Sequence, residues 1–255
     1  MSDQARVRYS QGQKDIGEAH SFSWEYPIAN NDFWRDLPYS LSRNFLQSFL
    51  TEGFQRLSKH FDDDGKLDRT AKLELLARLL HDELKEQDTA AATGHNSRQT
   101  FYDVDYQRWK LVWLAIASVQ QELGQGAEAE STMRMLHEMR RDPSNLSHLH
   151  SLASLLLARG EYEEVEKMEM DVKAWLDGRL GRDSPQALRA RRMLAEATWK
   201  QSVARRKHAE DILDETRAII GEMRAGPHAV YRDEETEMLE TLAQSLLQEG
   251  HQSTE

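Results

Sequence analysis

The sequence predicts an all-α protein, and three observations support this prediction. Its 255 residues include only 5 prolines and 13 glycines, so little interrupts regular structure, and good helix formers such as Leu, Ala, Glu, Arg and Gln are abundant. Apolar residues recur at three- and four-residue intervals along most of the chain, as they do on one face of a helix. A Leu-Ala or Ile-Ala pair returns four times after residue 101, which indicates repeated helix pairs.

The composition fits a thin helical array. Charged residues make up 30% of the chain, hydrophobic residues make up 39%, and the mean hydropathy is −0.75. Two layers of stacked helices have much surface for their volume and tolerate such a dilution of apolar residues. The length allows one large domain, or one domain with a tail.

Charge and cysteine content exclude several classes of function. The formal net charge is −11 and the pI is about 5.4, which disfavours nucleic acid and anionic membranes as partners. The chain has no cysteine, so disulfides, thiolate metal sites and cysteine nucleophiles are excluded. The N-terminal residues have no apolar leader and no 18-residue apolar run occurs, so we predict a soluble, cytoplasmic protein.

The N-terminal part divides into a tail and an aromatic segment. Residues 1–22 are polar and aperiodic, which predicts a flexible tail. Aromatic side chains then crowd around Pro27 and Pro38, which favours an irregular arm that caps the first helices, with a ligand-docking lip as the alternative. These aromatic residues are Phe22, Trp24, Tyr26, Phe33, Trp34 and Tyr39.

Residues 23–100 are predicted to form this arm, a divergent helix pair and a loop. The first helix is predicted to start at an N-cap, Ser40, and to continue to Leu57. The second carries a stripe of leucines from Leu73 to Leu84. Residues 86–100 lack apolar periodicity and are predicted to be a flexible loop.

Helical repeats are predicted over residues 101–255. The small residues Ala117, Ala153, Ala195 and Ala243 are spaced by 36, 42 and 48 residues. Seven residues after each comes Gly124, Gly160, Ser202 or Gly250, where the helix is predicted to end. The second helices of the pairs are predicted at about 127–140, 162–180 and 205–223, and residues 233–248 form a solitary closing helix.

The repeats resemble the tetratricopeptide (TPR) family, in the 42-residue variety found in kinesin light chains. Residues 180–188 read Leu-Gly-x-x-Ser-Pro-x-x-Leu and are followed by Leu194-Ala195, similar to the Leu-Gly-x-x-His-Pro-x-Thr-Leu and Leu-Ala of that family. Residues 160–166 resemble its Gly-x-Tyr-x-Glu-Ala-Glu. Ser184 stands where the family has His, and Ser202 where it has Gly.

The resemblance implies a right-handed helical solenoid of antiparallel helix pairs, whose first helices line a concave groove for a partner polypeptide. The groove positions that it implies are Leu111, Leu114, Ala115, Ser118, Ser147, His150, Ser151, Ser154, Arg189, Arg192, Met193, Glu196, Glu237, Glu240, Thr241 and Gln244. Peptide-binding members often have Asn two residues before the Ala, where this chain has Ala115, Ser151, Met193 and Thr241.

A basic run over residues 189–207 contains Glu196 as its only acid. Arg189 and Arg192 are three residues apart, share a helix face, and are suited to grip a carboxylate or phosphate. The alternative is a solvated face, or ion pairs with the acidic closing helix through Glu234, Glu235, Glu237 and Glu240.

Two metal motifs are weak. The run Asp62-Asp63-Asp64-Gly65 lacks the twelfth-position carboxylate of a calcium loop and matches an aspartate-rich diphosphate motif only loosely, so an acidic turn is favoured. His148 and His150 are two residues apart, and point to different faces of a helix. We predict no catalytic residue, no metal and no cofactor.

The sequence therefore predicts a non-catalytic interaction protein. Its binding residues are predicted to be Ser147, His150, Ser154, Arg189, Arg192 and Glu196, and its partner a polypeptide segment, preferably acidic. The competing hypothesis is an all-helical enzyme or ligand-binding protein of small-molecule metabolism, with a pocket near Trp24, Trp34, His60 and residues 62–64. A third is a homo-oligomer formed through the C-terminal helix.

Overall fold

The computed structural model describes residues 28, 31–50, 53, 55, 57, 60–61, 67–93 and 99–252. These residues form eleven α-helices and no strand, so the all-α prediction is confirmed. The helices are α1 (Asp32–Arg35), α2 (Tyr39–Gln47), α3 (Arg69–Thr93), α4 (Phe101–Val104), α5 (Tyr106–Glu122), α6 (Gly126–Glu138), α7 (Ser147–Arg159), α8 (Tyr162–Leu180), α9 (Pro185–Gln201), α10 (Arg206–Glu222) and α11 (Arg232–Gln252). The predicted tail, the first aromatic residues of the arm and residues 62–66 lie outside the described residues.

The chain divides into two compact units, residues 1–136 and 137–255. This division differs from the boundary predicted near residue 100. Residues 101–136 belong to the first unit because α5 packs against α2 and α3.

In the first unit, the aromatic side chains that are described pack inward. Phe33 and Trp34 of α1 are buried, and their rings each lie 4.9 Å from that of Phe61. Asn31 caps α1 by accepting a hydrogen bond from the backbone N–H of Trp34. The ammonium of Lys72 on α3 contacts the Asp36 carboxylate at 3.0 Å, which ties α1 to α3.

The helix predicted over residues 40–57 is interrupted. α2 begins after Pro38, not at a Ser40 cap, and it ends at Gln47. Ser48 follows the last turn of α2 and hydrogen-bonds to it. Its N–H donates to the Phe45 carbonyl, and its hydroxyl donates to the Asn44 carbonyl. Residues 53, 55 and 57 are helical again.

The prediction of a loop over residues 86–100 is wrong for residues 86–93, which belong to α3. Ala, Glu, Lys and Gln favour helix without apolar periodicity, since propensity does not require a buried face. The hydroxyls of Thr89 and Thr93 donate to backbone carbonyls one turn earlier, so these polar groups are satisfied inside the helix. Asp88 accepts a hydrogen bond from the Phe101 N–H at 2.9 Å and connects α3 to α4.

Helix α5 is held by long-range polar contacts in the first unit. Arg108 forms a buried ion pair with Glu83 of α3 and donates to the Ser48 carbonyl at 3.1 Å. Burial lowers the pKa of this guanidinium. The Asn44 amide of α2 donates to the Ser118 hydroxyl at 3.3 Å, so α2 contacts the face of α5 that the resemblance assigns to the groove.

In the second unit, each helix packs against the next one in the chain, and α9 also packs against α7 and α11. The Leu-Ala pairs of α7 and α9, residues 152–153 and 194–195, are all buried. These pairs fill the space between neighbouring helices as predicted.

The helix ends of the second unit follow local signals. α8 spans Tyr162–Leu180 as predicted, and α10 spans Arg206–Glu222 against a predicted 205–223. Gly160 ends α7 with a φ of +83°, a conformation that glycine adopts without strain. Ser184 caps α9 by accepting from the Ala187 N–H, and Pro185 occupies the first turn.

Gly250 was predicted to end the last helix, and this is wrong because α11 continues to Gln252. The corresponding pair on α11, Leu242 and Ala243, is only half-buried. α11 packs against α9 and α10, and these contacts leave this pair partly exposed.

Candidate functional site

Helix α9 is central to the second unit and reaches solvent along one stripe. Twelve of its seventeen residues are buried, because α7, α8, α10 and α11 all contact it. Gln186, Arg189, Glu196 and Lys200 are among the few that are partly exposed, and their spacing keeps them on one helix face. Two of these four, Arg189 and Glu196, are predicted binding residues.

The stripe on α9 meets predicted groove residues of α7. Arg189 donates to the Ser154 hydroxyl at 3.0 Å, a contact between residues 35 positions apart. Ser154 is half-buried, Ser147 is exposed two turns earlier on the same helix, and His150 lies between them. The structure thus joins Ser154 and Arg189 directly, with Ser147 and His150 on the same helix as Ser154 and Glu196 on the same stripe as Arg189.

On its other side, α9 is joined to α11 by a buried ion pair. Arg192 and Glu235 are both buried, and the guanidinium also contacts the Met238 sulfur at 3.9 Å. Burial raises the pKa of the Glu235 carboxyl, and the charge and hydrogen bond of Arg192 offset part of this effect. Arg192 is therefore committed to the closing helix, which is the alternative that the sequence left open, and it is poorly placed to grip a ligand.

His150 is held by a carboxylate that is shut off from solvent. Its Nδ1 lies 2.9 and 3.1 Å from the two carboxylate oxygens of Glu169 on α8, and Glu169 has no exposed surface. An ionised carboxylate at such a position requires a positive partner, since burying an unpaired charge is costly. His150 is the side chain that contacts Glu169, and this contact fixes the orientation of the imidazole ring.

Glu169 is the site residue that the sequence analysis missed. The buried stripe of α8 runs through Val165, Val172 and Leu176, and Glu169 occupies the same stripe at the intervening helical position. An acid inside an apolar stripe is the signal that identifies a buried carboxylate.

Glu196 and Lys200 continue the stripe toward the end of α9. The Lys200 ammonium lies 3.0 Å from the Glu196 carboxylate and 3.5 Å from that of Glu249 on α11. Desolvation lowers the pKa of Lys200, but the hydrogen bond and charge of Glu196 and the charge of Glu249 outweigh it, so the pKa is raised. The predicted binding residue Glu196 is thus paired within the protein.

Most of the remaining basic run is also paired. Arg191 is buried and forms two 2.7 Å hydrogen bonds with Asp177 of α8. Arg205 contacts Glu166, and the Arg206 guanidinium lies 5.1 Å from the centre of the Trp199 ring. The run therefore ties α9 and α10 to their neighbours.

Neither metal hypothesis gains support. His148 is buried with its ring 5.9 Å from that of His137, whereas His150 turns to Glu169, so the two histidines diverge as predicted. Within the part of the chain that is described, no three His, Asp or Glu side chains are grouped so as to hold a metal ion. Residues 62–64 lie outside that part.

Trp34, named in the competing enzyme hypothesis, is buried among Phe33, Phe45 and Phe61. This environment accounts for Trp34 as a core residue of the first unit. His60 is half-buried.

Comparisons with protein-family models, with curated proteins and with solved structures found no match. Among the helices that the structure describes, none has both the length and the apolar character that crossing a bilayer requires.

Proposed function

We propose that the protein is a non-catalytic interaction protein of TPR-like architecture, and that it binds a partner polypeptide on the surface formed by α7, α9 and α11. This surface, called here the stripe face, comprises Ser147, His150, Ser154, Arg189, Glu196, Met238 and Thr241.

The observation that carries the proposal is that α9 contacts the helices two places before and two places after it in the chain. α9 touches both α7 and α11, while α8 and α10 cover its other sides. The contacts Ser154–Arg189 and Arg192–Met238, which join α9 to α7 and to α11, support this proposal. Alternate helices that pack in this way present a continuous surface, as helical-repeat proteins do when they bind extended or helical segments.

The chemistry of the stripe face favours recognition over catalysis. Its side chains are mainly hydroxyl, imidazole, guanidinium and carboxylate groups that are half-buried, with defined hydrogen-bond partners at several positions. Pre-positioned polar groups bind a peptide backbone or polar side chains at a reduced entropic cost.

A peptide library displayed on phage tests the proposal. Selection on the wild-type protein, with counter-selection on a variant carrying Ser154→Trp and Thr241→Trp, should enrich peptides that need the stripe face. A matched control places the same bulk elsewhere in the unit, as Met170→Trp, because Met170 is 57% exposed on α8.

We expect the selected peptides to bind the wild type and the Met170→Trp variant equally, and the doubly blocked variant at least tenfold more weakly. Equal binding to all three proteins would exclude the stripe face. A selection that returns no peptide able to distinguish them would also refute the proposal.

A further inference from the structure

Three polar side chains at the α7–α9 contact have hydrogen-bond donors to spare. Arg189 uses one of its five N–H groups on Ser154, and no carboxylate of the described residues lies within ion-pair distance of it. In the second unit this sets it apart from Arg191, Arg192 and Arg205, each of which is bound to an acid. An unpaired guanidinium in a chain of net charge −11 indicates a place for an external anion.

The Ser154 hydroxyl adds a second donor. Its oxygen accepts from Arg189, and its hydrogen is directed to no acceptor among the described residues. His150 lies one helical turn before Ser154 on α7, so the two side chains are neighbours on one face.

His150 supplies the third donor when it is protonated. Among the described residues only its Nδ1 makes a hydrogen bond, to Glu169, and the side chain is 15% exposed. Nε2 is therefore the nitrogen left for a ligand. On the imidazolium this nitrogen carries a proton and donates, whereas on the neutral ring that donates from Nδ1 it can only accept.

Other charges near this cluster are bound to partners of their own. On α8, Glu166 is 2.7 Å from Gln201, and on α11 the Glu235 carboxylate is bound to Arg192 and acts on Arg189 only through space. His148 lies on the other side of α7. Glu169 is thus the charged group from α8 that faces His150, and Arg189 is the one from α9 that borders the same serine.

We propose that His150, Ser154 and Arg189 form a site for an anionic group, a carboxylate or a phosphate, in which Glu169 orients the His150 ring and Nε2 donates when the ring is protonated. The inference rests on the proposed function, because it assigns the polar anchor of the same stripe face. Glu169 touches no ligand and acts as a positioning residue, which fixes the His150 ring.

Titration of the full-length protein with inorganic phosphate, and separately with acetate, tests the site without a partner. Binding is followed by the NMR signals of the His150 ring at constant ionic strength, at pH 5.5 and pH 8. We expect affinity for the bound anion to fall at least fivefold as the pH rises. Phosphate gains negative charge over this range, so a simple electrostatic attraction predicts the opposite trend. The two anions distinguish a phosphate site from a carboxylate site.

Variants with matched controls identify the residues. Arg189→Gln should weaken binding at least tenfold at both pH values, whereas Arg182→Gln, which removes an equal charge from an exposed residue, should change it less than twofold. His150→Gln should abolish the fall in affinity with rising pH, and the control His208→Gln, at an exposed histidine of α10, should retain this fall. Binding to both histidine variants is followed by calorimetry.

Glu169→Gln should weaken binding at least threefold, because the His150 ring loses the carboxylate that orients it. If this variant does not fold, Arg189→Gln still decides the matter, because Arg189 is half-exposed and its loss removes one surface hydrogen bond.

Equal effects of Arg189→Gln and Arg182→Gln, an affinity that rises with pH, or no binding of either anion at about 50 mM would each overturn the inference. Peptides that still require the stripe face after such a result would leave the proposed function intact. If both experiments fail, the proposed function and the anion site are both refuted.

Discussion

Helices α5 and α9 have the same length, seventeen residues each, and are the most highly connected helices of their units, but their surroundings differ. α5 is the more apolar sequence, and six of its residues are buried. α9 carries three arginines, a glutamate and a lysine, and twelve of its residues are buried. The more polar helix is thus the more deeply enclosed one.

The two helices differ in where along the chain their packing neighbours lie. α5 packs against α2 and α3, which are distant in sequence, through contacts such as Arg108–Glu83 and Asn44–Ser118. α9 is surrounded by the helices that precede and follow it in the chain. Burial of a helix is therefore decided by how many neighbours its position provides, and buried arginines are accommodated by acids on those neighbours.

The largest expected effect comes from breaking the long-range contact of α5. Glu83→Ala leaves the Arg108 guanidinium buried without its counter-charge, which should lower the free energy of unfolding by about 3–5 kcal/mol. Urea unfolding monitored by circular dichroism measures this loss. Glu74→Ala, at an exposed position of the same helix, should cost less than about 0.5 kcal/mol. A loss for Glu83→Ala as small as that of the control would mean that water solvates Arg108.

Overpacking at the alanines of two Leu-Ala pairs compares a fully buried position with a half-buried one. Ala195→Leu adds three carbon atoms at a position with no exposed surface on α9, and should cost about 1–3 kcal/mol in thermal or urea unfolding. The equivalent change Ala243→Leu on α11 should cost less than about 0.5 kcal/mol, since Ala243 is half-buried. Equal losses at the two positions would mean that Ala243 is packed as tightly as Ala195.

The ion pair between α9 and α11 predicts a pH effect. The pKa of Glu235 is raised by burial, so its contribution to stability is present below pH 4.5 and is lost as the pH rises through the folded-state value. Each unit of increase in this pKa corresponds to about 1.4 kcal/mol. Glu235→Gln removes the effect.

Unfolding of Glu235→Gln and of the wild type should be compared at pH 4.5 and at pH 7. The variant should gain stability relative to the wild type as the pH rises. The opposite sign is expected at Glu240, whose pKa is lowered by its hydrogen bond to Arg217. A constant difference between Glu235→Gln and the wild type would show that Arg192 fully compensates the burial.

The smallest expected effect tests the local signals that end the helices of the second unit. Gly160→Ala places an alanine at a φ of +83° and should cost about 1 kcal/mol. Gly178→Ala, at an exposed interior position of α8 where an added Cβ meets nothing within 4 Å, should stabilise by about 0.5–1 kcal/mol. The melting temperatures of the two variants should move in opposite directions.

Much of the second unit was predictable because its signals are local. Gly160 and the Ser184-Pro185 pair each act within one turn of the chain, and they lie just before and just after α8. In the first unit, the end of α2 at Gln47 and the continuation of α3 to Thr93 were missed. The apolar pattern continues past Ser48, although α2 ends at Gln47. The pattern stops before Thr93, although α3 continues to that residue.

For the candidate site, the sequence named both Ser154 and Arg189, which are joined by a hydrogen bond between α7 and α9, but it did not separate Arg192 from Arg189. One guanidinium is buried against Glu235, 43 residues away, and the other is left with donors unused. Glu169 could have been recognised as an acid on an apolar stripe, although its partner on α7 could not.

The sequence by itself determined an all-helical chain, the ends of the helices in residues 147–222 and the small residues that lie between them. These features depend on hydrogen bonds and side chains within a few residues of each other. Only the tertiary structure decided which charges are neutralised internally and which remain for a ligand. Pairs such as His150–Glu169 and Arg192–Glu235 join separate helices, and their formation depends on the distances and burial that packing creates.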